Sequence, residues 1–192
     1  MKNWIIATRP WALPASVMPI LIMWAYLYSQ SDNGAAHINW LNALLPALGT
    51  FFVAVGAYDP QSLLMILPIG LITVAILHAN NTRDVKTDLQ AGLGTITTSV
   101  SLMNAKAIYA FEIFAPYALA LLYVVLLGQP WTLLAVVLTL PLALRNVRTM
   151  IQAEDDLPYR GIQRLDQTTA QLQMAFGLLY ALGFFLGSWL GV

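Results

Sequence analysis

The feature that most constrains this chain is the recurrence of long, uncharged apolar runs. Residues 11–28, 40–58 and 62–79 contain no Asp, Glu, Lys or Arg, and each approaches the roughly 20 residues that cross a hydrocarbon core of about 30 Å. A fourth run, 107–127, carries one interior charge, Glu112. A fifth, 131–144, is short unless Asn146 and Val147 extend it, and a sixth, 174–192, is clean. The spacing predicts an all-α, polytopic transmembrane helix bundle of about six spans, forming one transmembrane domain over residues 1–192.

Composition agrees. Only 9% of residues are charged and mean hydropathy is +0.69, against about 25% charged in soluble domains. Pro14, Pro19, Pro46, Pro68, Pro116 and Pro141 fall inside the runs, which a membrane bundle tolerates. Trp11, Trp40, Trp131 and Trp189 stand at or near run ends, as interfacial anchors do. The 9 basic and 9 acidic residues cancel, so no global field favours nucleic acid, and the expected surroundings are a lipid bilayer. The absence of cysteine excludes disulfides and thiolate chemistry. Arg9 and Pro10 interrupt the N-terminal run and no small-residue cleavage site follows it, so an uncleaved first span is expected rather than a signal peptide. No internal repeat supports an inverted-repeat transporter.

Placement of charge is more informative than its sum. Two long polar connections, 80–106 and 145–173, hold Arg83, Lys86, Lys106, Arg145, Arg148, Arg160 and Arg164. Loops rich in Lys and Arg stay cytoplasmic, and the two spans between them allow both to do so. Three runs separate Arg9 from Arg83, however, which puts the N-terminus on the opposite face. Either Lys2 and Arg9 are too few to matter, or one early run does not span, or an odd number of helices is missing.

Chemistry concentrates in the string Asn80, Asn81, Thr82, Arg83, Asp84, Val85, Lys86, Thr87, Asp88. If the third helix continues, Asn80, Asp84 and Asp88 share one face at i, i+4 and i+8, with neighbours about 5–6 Å apart. Two carboxylates at a membrane surface suit Mg2+, which keeps several waters and completes its shell with substrate phosphates. Arg83 and Lys86 could neutralise remaining phosphate charge. A solvated helix end with alternating charges would carry the same pattern.

This segment resembles the second aspartate-rich motif, NNxRDxxxD, of the UbiA superfamily of intramembrane prenyltransferases, in its dihydroxynaphthoate branch, commonly called MenA. Asn80, Asn81, Arg83, Asp84 and Asp88 match it, followed by Ala91, Gly92 and Thr95. The opening Arg9, Pro10, Leu13 and Pro14 resemble the branch's RPxxLP start, and residues 168–189 its last helix. The resemblance covers residues 5–28 and about 45–192. It implies a nine-helix fold of which helices 1 and 5–9 are recognisable here, with no counterpart of the first aspartate-rich motif before Asn80. Three missing helices, joined near residues 40–46 around Leu44, Leu45 and Pro46, would answer the parity problem. Gly94 stands where the family often has a basic residue.

By resemblance the chain is a prenyltransferase of menaquinone biosynthesis in the bacterial inner membrane. It would transfer a polyprenyl chain from its diphosphate to 1,4-dihydroxy-2-naphthoate, with Asp84 and Asp88 as magnesium ligands and Asn80, Asn81, Arg83 and Lys86 against the diphosphate. Lacking the first motif, it is expected to be inactive alone. Tyr109, Tyr117 and Tyr123 could face a carbocation, but aromatics in a span are more often packing or interface residues, which is how these three are read. Glu112 could pair with Lys106, His78 reads as a hydrogen-bonded residue at a helix end, and Val147, Met150 and Ile151 suggest a short surface-lying helix. Two readings of another class stand beside this one: a small cation-handling protein using Asp84, Asp88 and Glu112, and a membrane subunit without chemistry.

Overall fold

A computed structural model of the chain describes residues 60–153 and 160–192, together with Met18, Leu21, Ile22 and Ala25. The proposed junction near residues 40–46, the second apolar run and most of the first lie outside the described residues. Within them the chain is helical, with α1 (Pro60–Gln90), a single turn α2 (Ile96–Ser99), α3 (Leu102–Leu127), a 3-10 segment (Trp131–Thr139) running into α4 (Leu140–Ile151), a 3-10 turn (Arg160–Ile162) and α5 (Leu165–Leu190). Among the described residues, four stretches are long and apolar enough to cross a membrane: Leu64–Gln90, Leu102–Leu127, Trp131–Ile151 and Leu165–Leu190. They correspond to the last four of the six expected spans.

Several boundaries differ from the expectation, and in the same way: α3, for one, begins at Leu102, five residues before the fourth apolar run. α1 does not stop at Ala79 but continues through the polar string to Gln90. There the Leu93 N–H bonds to Asp88 O (2.9 Å) and the Gly92 N–H to Leu89 O (3.2 Å), with Gly92 at φ 69°. This is a Schellman closure, which needs a left-handed residue and therefore suits glycine. α4 continues from the fifth run to Ile151, and α5 begins at Leu165, nine residues before the sixth apolar run. Hydropathy marks where lipid ends; the helices go on because their backbone bonds do not depend on what the side chains face.

The prolines show how the spans hold together. Pro68 lies inside α1 and offers no N–H to the carbonyl of Leu64 one turn back. Tyr123 of α3 donates its hydroxyl to that carbonyl at 2.7 Å, so the lost bond is replaced across the interface. Pro141 falls in the first turn of α4, and Val137 O, which it would have served, takes the N–H of Leu140 instead. The nine-residue 3-10 segment before it lies against α5, where two glycines admit it. A Cβ on Gly183 would sit 2.9 Å from the Leu133 Cα, and one on Gly187 would strike Pro130. Thr132 fixes the approach by donating to Gly183 O at 2.6 Å.

Two cores result. One gathers Met65, Ile69, Ile72, Leu133, Val136, Phe176, Tyr180 and Phe184, with Met18, Ile22 and Ala25 of the N-terminal part packed in at helical spacing. Its aromatics form a run, Tyr117 to Phe176 to Tyr180 to Phe184, with ring centroids 5.2–5.8 Å apart. The other core lies toward the polar end of α1 and contains Ala75, Ala79, Tyr109, Ile113, Ala143, Val147, Met150 and Leu172. Val147 and Met150 are thus buried in the bundle on a continuous α4, not on a surface-lying helix, while Ile151 is exposed. Leu77, Phe111, Leu126, Leu138 and Leu182 face outward, as lipid-facing side chains do. Trp131 and Trp189 at span ends are exposed too, in keeping with their interfacial reading.

Candidate functional site

Because α1 continues as a helix, the polar string occupies its last three turns. The geometry centres on Arg83. Its Nε and Nη2 donate to the two oxygens of Asp84, each at 2.8 Å, and Nη2 also meets Asn80 Oδ1 at 2.5 Å. Its Nη1 reaches Asp166 Oδ2 at 3.0 Å, on the first turn of α5. Asn80, Arg83 and Asp84 are therefore brought together on the side that faces α5. Asp88 lies half-buried one turn beyond Asp84, about 6 Å further along the axis at an α-helical rise. Asn81 is half-buried as well.

Lys86 lies elsewhere. It lines a cleft of about 270 Å³ with Thr82, Val85, Leu89 and residues of α2, whose capping box between Thr95 and Thr98 fixes the far wall. Lys86 thus borders this cleft, whereas Arg83 bonds to Asn80, Asp84 and Asp166. A smaller cleft of about 180 Å³ holds Arg145 and Arg164 of the second polar connection.

Asp166 was not singled out from the sequence, where it falls inside a polar connection with nothing to distinguish it. The structure makes it the helix-to-helix partner of the motif. It is buried, and its Oδ1 accepts the N–H of Gln167 at 2.9 Å, a favourable place for an acid at a helix N-terminus.

Deeper in the span, His78 Nδ1 lies 3.1 Å from Glu112 Oε2 and 3.3 Å from Oε1, with both residues buried. Glu112 therefore does not pair with Lys106, whose Nζ donates to Ala153 O at 2.5 Å. His78 stands mid-helix rather than at a helix end. Tyr109, Tyr117 and Tyr123 have packing and hydrogen-bonding roles: the first pairs with Thr169 at 2.6 Å, the second with Thr139 at 2.7 Å, the third with Leu64 O. Among the described residues no group of three or more His, Cys, Asp or Glu side chains could hold a metal ion. A complete protein cage for a cation is therefore not formed by these residues alone.

These features define a polytopic helical membrane protein with a charged cluster at one end of a span. Residues 4–160 match the UbiA prenyltransferase family. Among curated relatives, the UbiA prenyltransferase domain-containing protein 1 of Xenopus tropicalis is 34% identical over 138 residues, covering 70% of this chain and 36% of that protein. The proteins of the same name from Gallus gallus and Homo sapiens are 32% and 30% identical, covering 70% and 74% of this chain and 38% and 39% of theirs. The chain belongs to the UbiA prenyltransferase family, and it spans somewhat more than a third of the length of these relatives.

Proposed function

We propose that the polar end of α1 is half of a diphosphate-binding site, in a prenyltransferase that moves a polyprenyl chain from its diphosphate to 1,4-dihydroxy-2-naphthoate. The observation that carries this reading is the placing of Asn80, Arg83, Asp84 and Asp88 on consecutive turns of a continuous helix, at the end of an apolar span. Asp84 and Asp88 offer two carboxylates one turn apart, which fits Mg2+ held largely by water and phosphate oxygens rather than by a closed cage. Bound there, the ion supplies Lewis-acid stabilisation to a departing diphosphate. The chain's own part is to place that leaving group. Arg83 presents a planar fork suited to phosphate oxygens, and the apolar bundle beneath excludes water from a reactive allylic cation.

The finer assignments, the naphthoate acceptor, menaquinone synthesis and the bacterial cytoplasmic membrane, rest on the likeness of Asn80–Asp88 and of Arg9–Pro14 to the MenA branch. Without a first aspartate-rich segment, the chain alone binds the diphosphate but does not turn it over. The deciding experiment is magnesium-dependent binding of a polyprenyl diphosphate analogue to the detergent-purified chain. Binding by the wild type and its loss in Asp84→Asn/Asp88→Asn is the expected result; equal binding by both, or none by the wild type, removes the reading. Product formed by the chain alone would refute the half-site.

A further inference from the structure

The guanidinium of Arg83 has two edges, and they are held unequally. The Nε and Nη2 edge lies on Asp84, whose side chain is 39% exposed, with Nη2 also on Asn80 Oδ1, whereas Nη1 lies on Asp166, whose side chain is 9% exposed. Asp166 is fixed a second time by the N–H of Gln167. One partner is therefore anchored at the start of α5, and the other stands where solvent and ligands reach it. A charge-assisted bond from a buried, twice-held carboxylate persists when the exposed partner is drawn away.

We propose that Asp166 is a positioning residue for the diphosphate site: it holds Arg83 by Nη1, so that the Nε and Nη2 edge faces a phosphate whenever Asp84 turns to a cation. The inference rests on the reading of α1 as a diphosphate site and extends it to a residue on another helix, 83 positions away. The fork is the reason. A guanidinium can serve a carboxylate and a phosphate at once through separate edges, which a lysine at this position could not do.

The test is a double-mutant cycle on the full chain in detergent, reading the affinity for a polyprenyl diphosphate analogue in the presence of Mg2+. Asp166→Asn is expected to weaken binding about tenfold, the scale of one hydrogen bond to a charged group. Arg83→Gln weakens it at least as much, and adding Asp166→Asn to Arg83→Gln causes no further loss. Asp166→Glu, which keeps the charge, falls between wild type and Asp166→Asn. Should the Asn variant not fold, the same cycle is run with Asp166→Glu, whose loss must likewise vanish in the Arg83→Gln background. Additive losses, the pattern of a merely structural residue, overturn the inference, as does unchanged affinity in both Asp166 variants. Those outcomes leave the diphosphate site standing, whereas a wild-type chain that does not bind overturns the site and the inference together.

Discussion

The two halves of α1 are held to the same neighbours by different means. From Leu64 to Thr73 the helix packs through Met65, Ile69 and Ile72 against aromatics of α5, and its polar links are neutral: Tyr123 to Leu64 O, and Gln173 Nε2 to Thr73 Oγ1 at 2.5 Å. From His78 to Arg83 the links carry ionisable groups, His78 with Glu112 of α3 and Arg83 with Asp166 of α5. Lipid supplies no hydrophobic drive between helices, so tight packing and interhelical bonds must hold both halves. The first half is served by shape. In the second, ionisable side chains at membrane depth are costly, which sets apart the half that leads into the functional string.

The comparison can be broken at its polar side first. His78→Ala should destabilise the bundle by about 3 kcal/mol, since it leaves the buried Glu112 carboxyl without a partner. The double variant His78→Leu/Glu112→Leu should recover most of that loss, and denaturation in mixed micelles would measure both. An intact His78→Ala bundle would make the pair incidental. On the apolar side, Gly183→Val should cost about 1–3 kcal/mol by driving a side chain into the Leu133 backbone; full stability there would refute the close approach. Tyr123→Phe should cost only about 0.6 kcal/mol, the mean of interhelical bonds in membranes, and should cost nothing in a Pro68→Ala background, where Leu64 O regains a helical N–H. The smallest effect is expected for outward-facing Leu126→Ala, within about 0.5 kcal/mol. A larger loss would place Leu126 against protein rather than lipid.

The number and order of the last four spans were legible in the apolar runs, and so was the shared face of Asn80 and Asp84, because helical spacing alone puts them together. Helix ends were not. A hydropathy run stops at its first strongly polar or charged residue, as at Asn80 or Arg145, but the hydrogen-bond ladder does not, and α1 and α4 go on for 11 and 7 residues beyond their runs. Partners distant in sequence were also invisible. Lys106, two turns away on the same helix, was the nearest basic residue to Glu112, yet His78 on α1 is what meets it. Asp166 had no local signal at all, since its meaning comes from an arginine on another helix.

The 3-10 segment has a consequence for reach. Fourteen apolar residues, 131–144, would extend only about 21 Å as an α-helix, well short of a hydrocarbon core of about 30 Å. With Trp131–Thr139 wound as a 3-10 helix, at a rise of about 2.0 Å per residue, the same stretch extends about 25 Å. Tighter winding thus stretches the shortest span without adding a residue to it, and this element fits a thin bilayer better than a thick one. Membrane thickness is therefore a physical variable to which the Trp131–Ile151 span should be the most sensitive of the four.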